Sequence, residues 1–368
     1  MGLNCGIVGL PNVGKSTIFK ALTSAPADAE NYPFCTIEPN VGIVNVKDPR
    51  IEKISNLIEP QKKIPAVMEF VDIAGLVKGA SKGEGLGNQF LGHIRQVDAI
   101  AHVVRCFDDD DIIHVNGVVD PLNDIETIDI ELALADLEVV EKKLGNLPKL
   151  IKSHDKKVSA LAKVLEPTLE KLKNHLENGK PARNLDLTQE EKSDVKDLNL
   201  ITLKKMIYVC NVKEEELGQD NPHVESIKKY VGDENRVVEI CGKIESEISL
   251  LETDDEKKEF MEAVGIEESG LHTLTRKAYH MLGLRTYFTA GEKEVRAWTF
   301  KSGMTAPEGA GIIHTDFQKG FIKAEVYHCD DLFTFESESK LKEAGKLRIE
   351  GKEYLLKDGD VIHFRFNV

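Results

Sequence analysis

One short segment near the amino terminus constrains the fold of this chain more than any other feature. Residues 9–17 read Gly-Leu-Pro-Asn-Val-Gly-Lys-Ser-Thr, after the strand-like run at 4–8 and before a helical pattern that begins at Ile18. A glycine-rich turn between a strand and a helix lets successive backbone N–H groups surround phosphate oxygens, and the positive end of the helix adds to that attraction. The segment therefore predicts a P-loop, and with it an α/β fold.

The residues of this loop have separate predicted roles. The Lys15 ammonium is expected to reach the β- and γ-phosphates and is the first catalytic candidate, while the Ser16 hydroxyl is a predicted ligand for Mg²⁺. Six consecutive residues are expected to contact the nucleotide: Asn12, Val13, Gly14, Lys15, Ser16 and Thr17.

Two more segments complete the predicted phosphate site. Residues 72–75, Asp-Ile-Ala-Gly, follow an apolar strand, so the Asp72 carboxylate can hold Mg²⁺ and the Gly75 N–H can reach the γ-phosphate. Gly75 is therefore the second catalytic candidate. Thr36, in the loop before the second predicted strand, is expected to complete the Mg²⁺ shell. A series of glycines then predicts a flexible switch segment: Gly79, Gly83, Gly85 and Gly87.

The segment expected to read the base departs from the usual GTPase pattern. GTPases carry Asn-Lys-x-Asp, in which the aspartate accepts two hydrogen bonds from guanine, but residues 211–214 here are Asn-Val-Lys-Glu. A carboxylate at that place would repel the adenine N1, so losing the aspartate removes discrimination against adenine. Asn211 can contact N7, which both purines share, and backbone groups near Val212 can read the adenine amino group. The alternative is that Glu214 bends back to do the work of the aspartate, as in an ordinary GTPase.

The group that positions the attacking water is less evident. Many GTPases place a glutamine directly after Asp-x-x-Gly, but Leu76 occupies that position here. His114 is a third catalytic candidate, because imidazole can donate to or accept from a water near neutral pH, although a structural surface histidine is an equal interpretation. A K⁺ ion held partly by Asn12 is a further candidate.

Residues 241–243, Cys-Gly-Lys, stand in the position of a fifth motif that is usually Ser-Ala-Lys or Ser-Ala-Leu.

Hydrophobic periodicity predicts a doubly wound α/β domain with two additions. Six strands are predicted: Asn4–Val8, Val41–Val46, Ala66–Asp72, Ala99–Arg105, Met206–Asn211 and Arg236–Ile240. After the fourth strand, helical patterns at 124–144 and 147–177 predict an antiparallel hairpin that is broken at 145–148 and projects from the sheet. From residue 284, β-branched and aromatic runs with a turn at 358–360 predict a small, separate β-rich domain. We place the nucleotide-binding domain at 1–123 and 200–283, the helical insertion at 124–199 and the β-rich domain at 284–368.

Composition and charge exclude several classes of protein. The 368 residues are 41% hydrophobic and 30% charged, and no stretch approaches the roughly 20 apolar residues of a membrane helix. Six scattered cysteines without metal-site spacing favour a reducing cytoplasm.

The net charge of −15 disfavours general nucleic-acid binding, and no DNA specificity is evident. From Lys149 to Lys173, however, seven lysines stand against three acids, which indicates either a solvated helix surface or a local RNA contact. Nothing demands a dimer, so we expect a monomer.

These features together resemble the YchF subfamily of Obg-like P-loop proteins over nearly the whole chain. The resemblance rests on the four motifs at 9–17, 33–36, 72–75 and 211–214, on the inserted helices, and on a C-terminal region similar to a TGS domain. In that region three segments are especially specific: Leu284–Gly291, His314–Phe317 and Lys357–Asp360. The resemblance implies hydrolysis of ATP in preference to GTP, with Mg²⁺, association with ribosomes, and an apolar residue in place of the catalytic glutamine, which Leu76 matches.

Several functions are compatible with this sequence. A slow ATPase switch that acts on the ribosome is the leading hypothesis, and a GTP-preferring GTPase is the near alternative. A nucleotide-modulated adaptor that binds RNA or the ribosome, with incidental hydrolysis, is an alternative of a different class. A P-loop kinase of small molecules is disfavoured, because Asp-x-x-Gly and Asn-x-x-Glu have no role in one.

Overall fold

A computed structural model of the chain describes residues 3–24, 40–73, 86–109 and 118–367. Its first sheet has six strands in the order β2-β4-β1-β5-β6-β7, and β2 is antiparallel to its neighbour whereas the other pairs are parallel. These strands are β1 (Asn4–Val8), β2 (Val41–Val46), β4 (Ala66–Asp72), β5 (Ala99–Arg105), β6 (Lys205–Asn211) and β7 (Val237–Ile240). All six lie within one residue of the predicted bounds, because continuous β-branched and apolar runs identify strands of a covered parallel sheet.

In the described part of the chain, seven α-helices connect or follow these strands. They are α1 (Lys15–Thr23), α2 (Pro49–Ile58), α3 (Leu86–Gln96), α7 (Pro222–Val231), α8 (Gly242–Leu250), α9 (Asp254–Ala263) and α10 (Gly270–Met281). One expectation changes here. Gly87 was expected in a flexible segment, but it lies in the first turn of α3, because the helix begins at Leu86.

The insertion consists of a long helical hairpin and a short return segment. It contains α4 (Pro121–Ile151), α5 (Lys156–Glu177) and α6 (Gln189–Asp194). The hairpin has a hydrophobic cluster of its own, apart from the core of the sheet: Ala133, Val140, Leu147, Ala162, Leu169, Leu172 and Leu176 are among its buried members. This separate core explains how the hairpin can extend away from the sheet.

The predicted break at residues 145–148 is wrong. Helix α4 continues through these residues to Ile151, with Pro148 inside it. Leu147 is buried in the hairpin core, so its packing outweighs the cost of an interior proline. The true turn is at 152–155, where the Asp155 carboxylate accepts a hydrogen bond of 2.8 Å from the Lys157 N–H and starts α5.

Some apolar residues of the predicted helical stripe are not in the core. Leu150, Leu161 and Val164, near the hairpin tip, are exposed by 36%, 69% and 60%. The buried positions of α5 lie along a neighbouring stripe that includes Ala162 and Leu169. Periodicity identified the helix correctly, but it did not identify which side of α5 packs against α4.

Replacing Pro148 with alanine is expected to raise the free energy of unfolding by about 2 kcal/mol, because it restores an N–H donor and removes the ring from the helix interior. Urea denaturation followed by circular dichroism would measure the change. The adjacent exposed Lys149→Ala variant is the control, and we expect it to stay within about 0.5 kcal/mol of wild type. An unchanged or lower stability of Pro148→Ala would contradict this explanation of the helix.

The C-terminal region forms a second six-stranded sheet in the order β11-β10-β12-β8-β9-β3. Its strands are β3 (Lys62–Ile64), β8 (Leu284–Ala290), β9 (Glu294–Lys301), β10 (Phe321–His328), β11 (Arg348–Glu350) and β12 (Asp360–Phe366). Its helices are α11 (Ala306–Ile313), α12 (Thr315–Lys319), α13 (Cys329–Phe335) and α14 (Glu338–Glu343). The predicted turn before the last strand is present, and Gly359 adopts φ 89° there.

This sheet is not the separate unit that the sequence predicts. Its edge strand β3 comes from the amino-terminal part of the chain and pairs in parallel with β9, Lys62 opposite Glu294. One hydrophobic cluster also joins the two parts, because Phe288 and Val361 belong to the same buried core as Ile7. Local sequence carries no information about a pairing between segments so far apart.

Two composition-based expectations can be compared with the structure. Of the described residues, none forms a helix with both the length and the apolar character needed to cross a bilayer. The cysteines in the described part of the chain are buried free thiols: Cys5, Cys106, Cys210, Cys241 and Cys329.

Candidate nucleotide-binding site

The predicted P-loop connects β1 to α1 at the carboxyl edge of the sheet. Helix α1 begins at Lys15 with Gly14 as its N-cap and no side-chain cap, and the first helical hydrogen bond runs from the Ile18 N–H to the Gly14 carbonyl at 3.0 Å. The N–H groups of Lys15, Ser16 and Thr17 therefore precede the hydrogen-bonded helix and are oriented as donors at its positive end. This arrangement is what an anionic phosphate chain requires.

Position 14 requires a glycine for two reasons, its backbone conformation and its closeness to Asn211. Its φ is 90°, in the left-handed region, and an added Cβ would lie 2.2 Å from Nδ2 of Asn211. A side chain at this position would push the loop away from the base-reading segment. Gly14 thus allows the P-loop to turn and also allows it to lie close to the base-reading segment at 211–214.

Lys15 and Asp72 lie together at the predicted phosphate and metal position. The Lys15 side chain is buried and forms an ion pair with the Asp72 carboxylate at the end of β4. Ser16 is exposed beside them on the first turn of α1. A carboxylate and a hydroxyl are hard oxygen donors of the kind Mg²⁺ prefers, so these side chains fit the predicted ion.

Asn211 connects the P-loop to the fifth motif. Its Nδ2 donates to the Val13 carbonyl at 3.0 Å, and its Oδ1 accepts from the Gly242 N–H at 3.0 Å. The side chain is buried, so these hydrogen bonds hold its amide plane in one orientation. The degenerate fifth motif therefore contributes a backbone N–H, which needs no particular side chain at Cys241.

Val212 and Glu214, the other predicted base-reading residues, form hydrogen bonds that affect which base can bind. The Val212 N–H donates to the Ile240 carbonyl at 2.9 Å, so a base could use only the Val212 carbonyl, which is an acceptor. Glu214 Oε2 accepts a hydrogen bond of 3.0 Å from Lys243 Nζ on the first turn of α8. The Glu214 carboxylate thus has a cationic partner within the fifth motif.

A pocket of about 400 Å³ lies beside these groups. It is lined by Asn12, Gly14, Thr17, Phe107, Asn211, Gly242, Lys243, Ser246 and Glu247. The pocket brings predicted nucleotide contacts from three separate segments to one place. Its volume is in the range of small-molecule sites.

The sequence interpretation missed three pocket residues, Phe107, Ser246 and Glu247, and Phe107 is the aromatic one among them. It lies two residues after the end of β5, and Arg105 opposes Asn211 in the β5–β6 register. The Arg105 guanidinium lies 4.7 Å from the Phe107 ring centroid, and its Nε donates to the Phe107 carbonyl at 3.0 Å. An aromatic ring fixed in this way offers a face on which a purine can stack. An aromatic residue just beyond the carboxyl end of a central parallel strand was the available signal.

Four predicted site residues lie outside the described part of the chain: Thr36, Gly75, Leu76 and His114. Their roles stay predictions. Asn12 is described, has φ 64° and lines the pocket, as a residue of the P-loop turn should.

The chain is similar to known proteins over its full length. It is 57% identical over 371 residues to the ribosome-binding ATPase YchF of Bacillus subtilis (strain 168), with 100% of both chains covered. It is 52% identical over 369 residues to the protein of the same name from Escherichia coli O157:H7, again with 100% of both covered. The solved structure of the Schizosaccharomyces pombe YchF GTPase matches with a TM-score of 0.88 at 40% identity, over 99% of this chain and 98% of that one.

Two family models divide the match along the chain. Residues 4–143 match MMR_HSR1, described as a 50S ribosome-binding GTPase. Residues 284–367 match YchF-GTPase_C, described as a protein of unknown function (DUF933). The two models cover the P-loop part and the second sheet, respectively.

Proposed function

Because the chain belongs to the YchF family of P-loop proteins, we propose that it hydrolyses ATP in preference to GTP, with Mg²⁺, as a slow switch on the ribosome. The observation that carries the preference for ATP is that the Val212 N–H is bonded to the Ile240 carbonyl at 2.9 Å, which leaves an acceptor, the Val212 carbonyl, for the base. The exposed ion pair with Lys243 also draws the Glu214 carboxylate aside. For Glu214 to read guanine, its carboxylate would have to leave that cation and reach the base edge. Adenine needs no such carboxylate.

The purine would be held by two groups that either base can use and by one acceptor that favours adenine. One remaining hydrogen of the Asn211 amide can reach N7, and the Phe107 ring can stack on the base. The Val212 carbonyl can accept from the adenine amino group, whereas guanine presents a carbonyl oxygen at the corresponding position and would be repelled. Selectivity then arises from an acceptor that favours adenine, together with the absence of the usual aspartate.

Mg²⁺ would be held by Ser16 and Asp72, with Thr36 as the expected third protein ligand. The ion supplies positive charge next to the phosphate oxygens. Lys15 would exchange its present partner Asp72 for the β- and γ-phosphates, and the Gly75 N–H would contact the γ-phosphate. His114, or a K⁺ ion near Asn12, is proposed to assist the attacking water in the absence of a glutamine at Leu76.

The two additions to the nucleotide domain contact elements that border the switch segments. Arg95 of α3 donates to the Ala135 carbonyl of the helical insertion at 3.1 Å and to the Asn199 carbonyl at 3.2 Å. Strand β4, which ends at Asp72, is separated only by Pro65 from β3 of the second sheet. A change at the γ-phosphate would thereby alter both the hairpin and the C-terminal sheet.

Association with the ribosome is proposed from the names of the relatives together with the surface of the hairpin. The relatives from B. subtilis and E. coli are named ribosome-binding ATPases. Exposed lysines near the hairpin tip, including Lys152, Lys157 and Lys163, offer a local contact for ribosomal RNA. The same association would place the protein in the cytoplasm, where we propose that it acts as a monomer.

The Glu214→Asp variant is expected to shift the ratio of GTP affinity to ATP affinity at least about tenfold toward GTP, or about 1.4 kcal/mol. The shorter side chain restores the aspartate that guanine recognises and loses the reach to Lys243. Titration of both Mg²⁺-nucleotides by calorimetry would measure the shift. Glu215→Asp, at the adjacent exposed residue, is the matched control and should leave the ratio unchanged. Tenfold tighter binding of GTP by the wild-type chain would sink the proposed ATP preference.

A further inference from the structure

A second cavity lies at the opposite edge of the first sheet from the P-loop. Its volume is about 750 Å³. It is lined by Arg183, Leu203, Lys204, Lys205, Asp233, Asn235, Arg236, Arg276, Lys277, His280 and Met281. These residues come from the return segment of the insertion, the amino ends of β6 and β7, and the last turns of α10. The P-loop pocket, by contrast, faces the carboxyl ends of the same strands.

The cavity is strongly basic in an otherwise acidic protein. Six of its lining residues are Lys or Arg, and only Asp233 is acidic. Several of the lysines bind main-chain carbonyls: Lys204 Nζ donates to the Arg95 carbonyl at 3.0 Å, and Lys277 Nζ to that of Val237 at 2.8 Å. A carbonyl satisfies a hydrogen bond but carries no net charge, so these ammonium groups are offset only by carboxylates farther away, such as Asp98 near Lys204 and Asp233 near Lys277. Arg276 has a direct ion pair of 2.9 Å with Glu268.

Two arginines keep donor capacity that the fold does not use. Arg236 directs Nε to the Met206 carbonyl at 2.9 Å, and its terminal nitrogens have no hydrogen-bond partner among the described residues. Arg183 is only 10% exposed and pairs with Asp129 through Nη2, yet its Nη1 is buried without a partner in the described part of the chain. The terminal nitrogens of Arg236 are therefore available to a ligand, whereas Nη1 of Arg183 is enclosed by protein, so Arg183 contributes its charge to the cavity.

The positive charges also act on one another. Burial lowers the pKa of Lys277, and the neighbouring Arg276 lowers it further. The pKa of His280 is lowered by burial and then by Arg285. An anion in the cavity would offset this mutual repulsion, since its charge interacts favourably with each of these groups.

We propose that this cavity is a second ligand site, which binds a small nucleotide carrying at least two phosphate groups. Guanidinium groups bind phosphate oxygens bidentately, and the cations from four chain segments surround one compact volume. The apolar side chains of Leu203 and Met281, together with the His280 ring, form a wall suited to a base or sugar. A long phosphodiester strand would instead require basic residues spaced along an open track.

A ligand in this position would contact the helical insertion and the helix that leads to the second sheet. Arg183 belongs to the helical insertion, and Met281 ends the helix that leads into β8 of the second sheet. Lys204 also binds the last turn of α3 through Arg95. The nucleotide in this cavity acts as an effector that ties the insertion to the second sheet.

Adenosine 3′,5′-bisphosphate is a suitable probe, because it has two phosphates but no triphosphate chain for the P-loop. It would be titrated by calorimetry into the full chain saturated with Mg²⁺ and a non-hydrolysable ATP analogue, which occupies the P-loop. We expect one equivalent to bind. The Lys205→Glu, Arg276→Glu double variant changes two exposed cations and should weaken binding at least about tenfold, since two charge-assisted contacts become repulsive.

The control is the double variant Lys258→Glu, Lys352→Glu, which makes the same change in net charge at exposed residues that do not line the cavity. It should leave bisphosphate affinity within about twofold of wild type, because distant exposed charges are screened. Binding of the ATP analogue should be equal in all three proteins, so loss of this site and loss of the P-loop site are distinguishable. The proposal is overturned if no saturable bisphosphate binding occurs, or if both double variants weaken that binding equally. It is also overturned if a short single-stranded RNA binds the cavity and the bisphosphate cannot displace it.

Discussion

Replacing Lys15 with alanine is expected to slow nucleoside-triphosphate hydrolysis by about a hundredfold to a thousandfold, the usual effect of removing one preorganised charge from a transition state. Lys15 is held at the first turn of α1, next to the N–H groups that precede the hydrogen-bonded helix. Its ammonium can follow the charge that develops on the transferred phosphoryl group, which a neutral side chain cannot do. Part of the loss should occur in binding, because the lysine also contacts the ground-state phosphates.

Phosphate release under single-turnover conditions would measure the rate, and calorimetry the affinity. Lys20→Ala, an exposed residue of the same helix, is the matched control and should retain both. Because Asp72 would lose its partner, circular dichroism must show that the variant is folded. Hydrolysis at the wild-type rate in a folded Lys15→Ala protein would contradict the assignment of this site.

The same variant separates the proposed switch from the adaptor hypothesis. A switch requires the phosphate-dependent change, so Lys15→Ala should fail to show a nucleotide-dependent difference in ribosome binding. If sedimentation with ribosomes and the cellular phenotype are both unaffected while hydrolysis is lost, the adaptor hypothesis is favoured.

Replacing Arg50 with alanine is expected to lower the free energy of unfolding by about 3 kcal/mol, as is usual when one partner of a largely enclosed ion pair is removed. Arg50 lies between two carboxylates: Nη2 is 2.7 Å from Asp48, and Nη1 is 2.8 Å from Asp358 of the turn before β12. Its guanidinium also lies 5.4 Å from the Phe288 ring centroid. The side chain is 25% exposed, so these contacts are only partly screened by solvent.

Urea denaturation at pH 7 would measure this loss. Arg365→Ala is the matched control, because Arg365 forms an ion pair of 2.9 Å with Glu325 but is 58% exposed, so we expect a change below about 1 kcal/mol. Equal effects of the two substitutions would contradict a special role for Arg50 between the nucleotide domain and the second sheet.

The contribution of this contact should depend on pH. Burial disfavours ionisation of Asp358, but the hydrogen bonds from Arg50 and from the Thr286 N–H outweigh burial and lower its pKa. A carboxyl group with a lowered folded-state pKa stabilises the fold above its unfolded pKa of about 3.9, and this stabilisation is lost as the pH falls through the folded value. The stability difference between wild type and Arg50→Ala should therefore be constant near neutrality and shrink below about pH 4.

Much of the fold followed from local patterns. Hydrophobic runs located the six strands of the first sheet, and the glycines at 9 and 14 with Lys15 located the P-loop between β1 and α1. The predicted family and fold class are confirmed by the full-length relatives and by the structural match. The predicted helix break at 145–148 was wrong because the local sequence shows the proline but not the packing of Leu147, which depends on α5.

The P-loop segment by itself determined that the amino-terminal domain is α/β and suited to phosphate, because its strand, turn and helix are contiguous and interact within a few residues. The tertiary structure alone decided what surrounds that loop. It placed Phe107 in the pocket, turned Glu214 toward Lys243, paired Lys62 with Glu294, and gathered cations from four segments into one cavity. Each of these depends on contacts between residues distant along the chain, whose free energy comes from shared burial and charge rather than from any local pattern.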